Sequence, residues 1–554
     1  MKYSRSIITV AGLSGLMVLA FMGISKTTTK VKVNPKPKIV LGINLSGVAY
    51  YATENPFIDA FKSSDSWHAT LVNGSGKITK WDTGESKKII KDSHGWVTTL
   101  KGKHQYNAVA TLIYTGQNGR YPQGKDQQYI VRYQGQGKIL YGGDAKLLNH
   151  FVLPDRTSQD LLKIQQSNSG ISLVLTDIDP HDYPKNIRII PRQYIKTYPK
   201  DIFNPDFLEI IKPFDTLRFM DWMGTNNGPE EMTWKDRTDY DSATWSRVPL
   251  EVMVALANKT NTNPWFNMPT GASDDYVRKF AKYVKAHLKP NLKIYIEYSN
   301  EVWNDGFGQA DYSRKKGLAH HLSEDPSSAK LYWYTLRTRQ IVDIWQQVYQ
   351  GEQRRQINGV LCFGGYLSTR SELDYLQSHG GFDGIKVLAV AAYFGYYLGS
   401  PNVTDQLQSW NLDQLYGEIT KGGILKGGPQ GGALGETYRS IAQNASLAKK
   451  YNLQLVAYEG GQHLVGYSGS ENNQAINDLF IRFNRDPRIA IVYDQFVTKW
   501  SQLGGGLFNH YSDITPYGKW GSWGAMESLR EGNSPKYAAL KKLLKQYPSQ
   551  IKTK

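Results

Sequence analysis

From Phe203 onward the chain repeats one rhythm: an apolar run of strand length, a polar loop, then apolar residues at helical spacing. The runs cover 216–221, 262–267, 292–299, 358–363, 386–393, 453–458 and 505–509. With residues 39–44 they make eight, the number that closes a β/α barrel, so the expected fold class is α/β, a (β/α)8 TIM barrel. The helices between them carry their own marks. Val277, Phe280, Ala281, Val284 and Leu288 share one face, after Ser273 or Asp274 as N-cap and before Pro290 as stop. A second helix opens at Asp325-Pro326 and carries Leu331, Tyr334, Thr338, Ile341, Trp345 and Val348; a last one over 535–546 finishes the barrel.

One stretch breaks the rhythm. Between 67 and 191 the chain shows short alternating runs punctuated by Gly, Asn and Asp, the texture of a β-sandwich. The expected layout is therefore a barrel of residues 39–66 and 192–554, with 67–191 as a β-sandwich-like insertion between the first and second barrel strands. The Gly-rich stretch 422–435, after the sixth strand, reads as a mobile loop over the barrel mouth.

Ahead of the barrel, Lys2 and Arg5 precede an apolar stretch from Ile7 to Ile24. Residues 1–25 read as a signal peptide, cleaved after Ser25, or as an uncleaved membrane anchor, and 26–38 as a Pro/Lys linker. Cys362 is the single cysteine of 554 residues, so no intrachain disulfide can form. An exported protein without disulfides fits a bacterial envelope, secreted or periplasmic. The net charge of +17, with lysine-rich ends, suits weak adhesion to an anionic cell surface. The basic residues are otherwise spread out and carry no recognised binding motif, which argues against nucleic acid as a partner.

Barrels of this kind take their reacting groups from the C-terminal ends of the strands. Here those ends carry Arg218, Asp221 and Trp222 on the second strand, Trp265 and Asn267 on the third, and Asn300-Glu301 on the fourth. Tyr393 ends the sixth, Glu459 the seventh, and Trp520 and Trp523 follow the eighth. Two strand-terminal glutamates are what hydrolysis of a glycosidic bond needs, one as acid/base and one as nucleophile. No metal or cofactor is called for. Asp177, Asp179, His181 and Asp182 sit in a Pro-containing turn and read as loop chemistry. Gly504-Gly505-Gly506 lacks the lysine and following helix of a phosphate loop.

These strand ends resemble the glycoside hydrolases of clan A, the "four-seven" barrel superfamily. There an Asn-Glu pair ends strand four and a Glu ends strand seven, with an Arg on strand two, a Tyr or His near strand six and a Trp near strand eight. More closely, the chain is similar to exported bacterial proteins often labelled cellulose-binding. The shared stretches are Leu41-Gly42-Ile43-Asn44, Leu217 to Trp222 followed by Thr225-Asn226-Asn227, Trp265 to Pro269, Glu297 to Asn304 and Ala457 to Leu464. The resemblance runs from Ile39 to Ile514 and implies a polysaccharide or oligosaccharide partner, cellulose or a related β-glucan.

The resemblance also implies roles. Glu301 would be the acid/base, its pKa raised by partial burial and a nearby negative charge. Glu459 would be the nucleophile, kept ionised by Arg218 and Tyr393. Asn300 would bind the sugar 2-hydroxyl, and carboxyls about 5–5.5 Å apart would give retention of configuration. Trp265, Trp303 and Trp222 are candidate sugar platforms, with Trp523, Asn267 and His463 also lining the site.

Each residue has a plainer reading beside that one. A strand-end Glu can be a surface ion-pair member, and Arg218 a structural clamp. Glu297 shares strand parity with Glu301 and reads as a satisfied polar residue of the barrel interior rather than a third catalyst. Asp221 and His463 stand between site wall and hydrogen-bonded scaffold. For the whole chain the alternative is a non-catalytic carbohydrate-binding surface protein that retains the barrel.

Overall fold

The computed structural model describes residues 38–365, 369–549 and 551. The expected signal or anchor segment and the linker up to Pro37 lie outside the described residues. Among the described residues no helix is long and apolar enough to cross a membrane.

Eight parallel strands close on themselves in chain order. They are β1 (Val40–Asn44), β2 (Thr216–Arg218), β3 (Asn263–Met268), β4 (Ile294–Tyr298), β5 (Ile357–Phe363), β6 (Ile385–Phe394), β7 (Gln454–Gln462) and β8 (Leu507–His510). β1 pairs with both β2 and β8, which seals the barrel. With helices between the strands, this is the (β/α)8 TIM barrel that the rhythm predicts.

Period-two alternation sorts the strand side chains into two sets. Ile43, Leu217, Phe266, Ile296, Leu361 and Leu388 point outward into the large core shared with the helices. Trp265, Tyr295, Val360, Cys362, Val387, Ala389, Val456 and Tyr458 fill the interior. Because both faces are buried, the strands read as nearly continuous apolar runs, which is why they are legible in one dimension. The helix Asp274–His287 starts where Ser273 accepts from the Tyr276 N–H, and it buries Tyr276, Val277, Phe280, Ala281 and Val284. The helix Pro326–Val348 is capped by Asp325, and Pro535–Gln546 by Ser534.

Residues 68–191 build two larger antiparallel sheets and a two-stranded one (90–91 with 97–99) after β1 and before β2. One has four strands, ordered 185–191, 128–134, 158–164, 145–152; the other has five, ordered 78–80, 68–72, 108–113, 171–178, 137–143. They share one apolar core, to which the first sheet gives Val131, Leu162 and Ile189 and the second gives Val109, Ile113 and Leu173. Phe61, from the short turn of helix after β1, enters that core and stacks on Trp96 at 5.4 Å. Residues from Lys38 onward accordingly form one compact unit.

Two expectations need correction. The second apolar run stops being a strand at Arg218, and the chain turns through Met220–Gly224. The Gly-rich stretch is pinned, not free: Glu418 accepts from the N–H groups of Ile424 and Leu425, and Gly432 already opens the helix Gly432–Lys450.

Candidate active site

Arg218 closes β2, level with Asn44 on β1 and Trp265 on β3, and all three point into the barrel. It is fully buried and uses all five of its N–H donors. Nε and Nη2 grip Glu297 at 3.0 and 2.9 Å; Nη1 reaches Asn44 Oδ1 at 2.9 Å and Glu459 Oε1 at 2.7 Å; Nη2 also reaches Asn300 Oδ1 at 2.7 Å. One guanidinium therefore fixes a carboxylate that stays structural, Glu297, and a second, Glu459, that faces the mouth. Trp265 Nε1 donates to Glu297 Oε2 at 2.7 Å, so Glu297 accepts three hydrogen bonds.

Glu459 owes its direction to a β-bulge. In the β6–β7 register Val390 faces Ala457 and Ala391 faces Glu459, which leaves Tyr458 as the extra residue. Strict alternation would send Tyr458 inward and Glu459 outward; the bulge turns both inward. Glu459 then receives Arg218 on Oε1 and the Tyr393 hydroxyl on Oε2, at 2.9 Å. It lies inside β7, not just past its end.

Glu301 sits three residues beyond β4, on a turn with φ of 61° at Ser299 and 43° at Glu301. Left-handed backbone at non-glycine residues costs about 1–3 kcal/mol each and persists only where surroundings hold it. Here the Asn267 amide donates to Ser299 O at 3.0 Å, Gln309 Nε2 to Asn300 O at 2.8 Å, and Asn300 Nδ2 to Asn226 Oδ1 at 3.0 Å. The carboxyl is held by Tyr458 Oη on Oε1 at 2.9 Å and Asn304 Nδ2 on Oε2 at 3.0 Å. Trp303 Nε1 in turn donates to Tyr458 Oη at 3.3 Å.

The electrostatics separate the two acids. Burial, and next the charge on Glu459, push Glu301 up to about 7, against the pull of Asn304 and Tyr458. Burial also raises Glu459, but Arg218 and Tyr393 offset it there. Glu301 is thus the better proton holder and Glu459 the better anion. Asp221, which accepts from Tyr511 Oη at 3.5 Å, is raised to about 7 by burial and then by Glu459. Burial lowers His463 to about 4, so its ring is neutral at pH 7.

The aromatic candidates divide. Trp303 and Trp523 are half-buried at the site, Trp523 at 5.7 Å from the Tyr393 ring and 5.1 Å from His463. Trp222 and Trp265 cannot serve as sugar platforms, because both are 0 % exposed. Trp222 is wedged among Phe57, Phe207 and Phe219 in the outer core. Trp265 stacks on Tyr295 at 5.0 Å inside the barrel. Asn267 is likewise buried and supports the Glu301 turn from below.

Tyr458, Asn304, Asn44 and Tyr511 are missing from the sequence-based set. Asn304 lies inside the Glu297–Asn304 motif and was within reach. Tyr458 was not, since its place depends on the bulge. Among the described residues no group of three or more His, Cys, Asp or Glu could hold a metal ion.

No family model matches the sequence, and no curated protein matches it. Solved structures do. A Bacteroidetes-affiliated GH5 cellulase linked with a polysaccharide utilization locus is 11 % identical over 63 % of this chain and 87 % of its own, with a TM-score of 0.37. A fungal β-1,4-galactanase is 10 % identical over 62 % and 92 %, at 0.31. A broad-specificity GH5-4 endoglucanase from Clostridium acetobutylicum is 12 % identical over 61 % and 88 %, at 0.31. Identities this low and superpositions this loose leave the fold to stand on the strand order itself.

Proposed function

We propose that the protein is a retaining glycoside hydrolase that cleaves a β-linked polysaccharide, cellulose or a related β-glucan, by double displacement. One observation carries the reading: a single hydrogen-bonded network, Glu297–Arg218–Glu459–Tyr393, favours the anion at Glu459, while burial beside that anion keeps Glu301 protonated. Glu459 attacks the anomeric carbon as Glu301 gives its proton to the departing glycosidic oxygen. Glu301, now ionised, takes a proton from the water that displaces Glu459, and both groups return to their starting states. Asn300 keeps one Nδ2 hydrogen beyond its bond to Asn226 for the sugar 2-hydroxyl. Residues 39–66 and 192–554 form the catalytic barrel in this reading, and 67–191 a β-rich insertion. The N-terminal 25 residues export the protein or anchor it to a bacterial envelope, and the basic surface adds weak adhesion to anionic polymer.

Release of reducing ends from a panel of β-glucans tests the reading. Glu459→Gln is expected to abolish turnover and spare binding; wild-type rates in that variant would remove Glu459 as nucleophile. Retention on insoluble cellulose with no product from any β-glycan would favour the binding-protein alternative.

A further inference from the structure

Three loops beyond the acid pair carry aromatic rings that the reaction does not use. Tyr396 opens the short helix after β6, and Gly395 at φ 91° turns the chain there. Tyr467 follows β7, and Trp520 sits on the tight turn between Gly518 and Gly521 after β8. Tyr396 is 47 % exposed and Trp520 69 %. Burying large apolar side chains is favourable, so leaving Tyr396 and Trp520 open, with Tyr467 half-buried beside Tyr396, marks a surface suited to being covered. Tyr51 and Tyr240, also exposed, stand outside this series of rings.

Tyr396 and Tyr467 connect to the chemistry through a series of ring contacts, and Trp520 is tied in through Trp523. Tyr393, which donates to Glu459, lies 5.5 Å from His463; His463 lies 4.9 Å from Tyr396; Tyr396 stacks on Tyr467 at 4.7 Å and 16°. The loops are also tied together. Ser470 Oγ donates to Gly399 O at 2.6 Å and Tyr467 N–H to the same oxygen at 3.2 Å; Lys519 reaches Asn472 at 3.4 Å; Trp523 Nε1 donates to Trp520 O at 2.8 Å. A platform held in this way binds with little ordering cost.

We propose that the rim formed by Tyr396, Tyr467 and Trp520 is a glycan-binding track, continuous with the acid pair, that holds further sugar units of a β-linked chain. Flat ring faces match the C–H faces of β-linked sugars, and the phenol and indole tips can bond their hydroxyls. This rests on the hydrolase reading for the position of the scissile bond, and it narrows the substrate to chains long enough to reach from Glu459 to Trp520.

The test is calorimetric titration of the Glu459→Gln full-length chain with cello-, manno- and laminari-oligosaccharides of two to six units. Affinity is expected to rise with length in at least one series. Adding Tyr396→Ala and Trp520→Ala should cut affinity for that hexasaccharide about tenfold or more and flatten the length dependence, whereas Tyr396→Phe with Trp520→Phe should restore most of it. Unchanged hexasaccharide affinity in the alanine pair, with circular dichroism matching the parent, overturns the track, as does absence of binding in all three series. Length-dependent binding that the alanine pair abolishes, in a protein whose wild type cleaves nothing, would uphold the track and defeat the hydrolase reading. Cleavage without that length dependence would do the reverse.

Discussion

The Tyr458 hydroxyl donates to Glu301 Oε1 at 2.9 Å, although Tyr458 is the chain neighbour of the other acid, Glu459. Its ring also faces the Arg218 guanidinium at 5.0 Å, the group that holds Glu459. One bulged position on β7 thus serves both carboxyls. It presents Glu459 to Arg218 and at the same time lends a donor to the acid across the barrel.

Removing that donor should show in the pH profile. The Tyr458 hydrogen bond favours the ionised form of Glu301, so it lowers the pKa that burial raises. Tyr458→Phe keeps the ring against Arg218 and loses only the hydroxyl. The expected result is a basic limb of kcat/KM moved to higher pH, with kcat down several-fold. A profile superimposable on the wild type would mean that the contact does not reach the reacting state.

The native profile follows from the same groups. With Glu301 near 7, kcat/KM should fall above neutral pH as the acid loses its proton. The acid limb reports Glu459, raised above the ordinary glutamate range by burial. The sign for stability runs the same way. A carboxyl whose folded pKa lies above its unfolded value contributes most below the unfolded value, 4.5, and loses that contribution as pH climbs to about 7. Glu54, Asp221 and Asp513 are raised in the same direction, also by burial first, so these buried acids share the trend. Glu301→Gln isolates one share of it. Its Tm relative to the native protein should improve steadily between pH 4.5 and 7, read by thermal unfolding at matched ionic strength.

What a one-dimensional reading can reach here follows from periodicity. The strands were legible because they are apolar on both faces, and the helices between them because caps such as Ser273 and Asp325 open them. Glu301 and Glu459 were legible because each interrupts an apolar run with a charge. Burial among neighbours was not. Trp222 and Trp265 stand next to polar motif residues in sequence, yet the turn after Arg218 folds Trp222 back onto Phe57 and Phe207, and inward parity puts Trp265 over Glu297. A bulge leaves no sequence period at all, so Tyr458 could only be found in space.

Arg218 should tolerate no substitute. Its five donors in a planar fork meet four different side chains, and a lysine offers three donors from one point. Arg218→Lys leaves Glu297 or Glu459 short of a partner in a buried site. Breaking such a pair costs about 3–5 kcal/mol. The expected outcome is a marked drop in Tm together with loss of turnover. Retained stability with normal kcat would show that the clamp on Glu459 is dispensable.

Trp222 provides the opposite contrast, a residue whose loss should harm the fold and not the sugar contacts. It is packed at 5.6 Å from Phe57, 5.7 Å from Phe219 and 6.2 Å from Phe207, with no exposed surface. Truncation leaves a cavity that these rings cannot collapse into, at a cost of about 3–5 kcal/mol. Trp222→Phe, which keeps most of the volume, should cost markedly less. Measured at a temperature where the variant is still folded, Trp222→Ala should bind oligosaccharide as the native chain does, while its urea midpoint falls. If affinity fell and the midpoint did not, the indole would have to face the ligand rather than Phe57, Phe207 and Phe219.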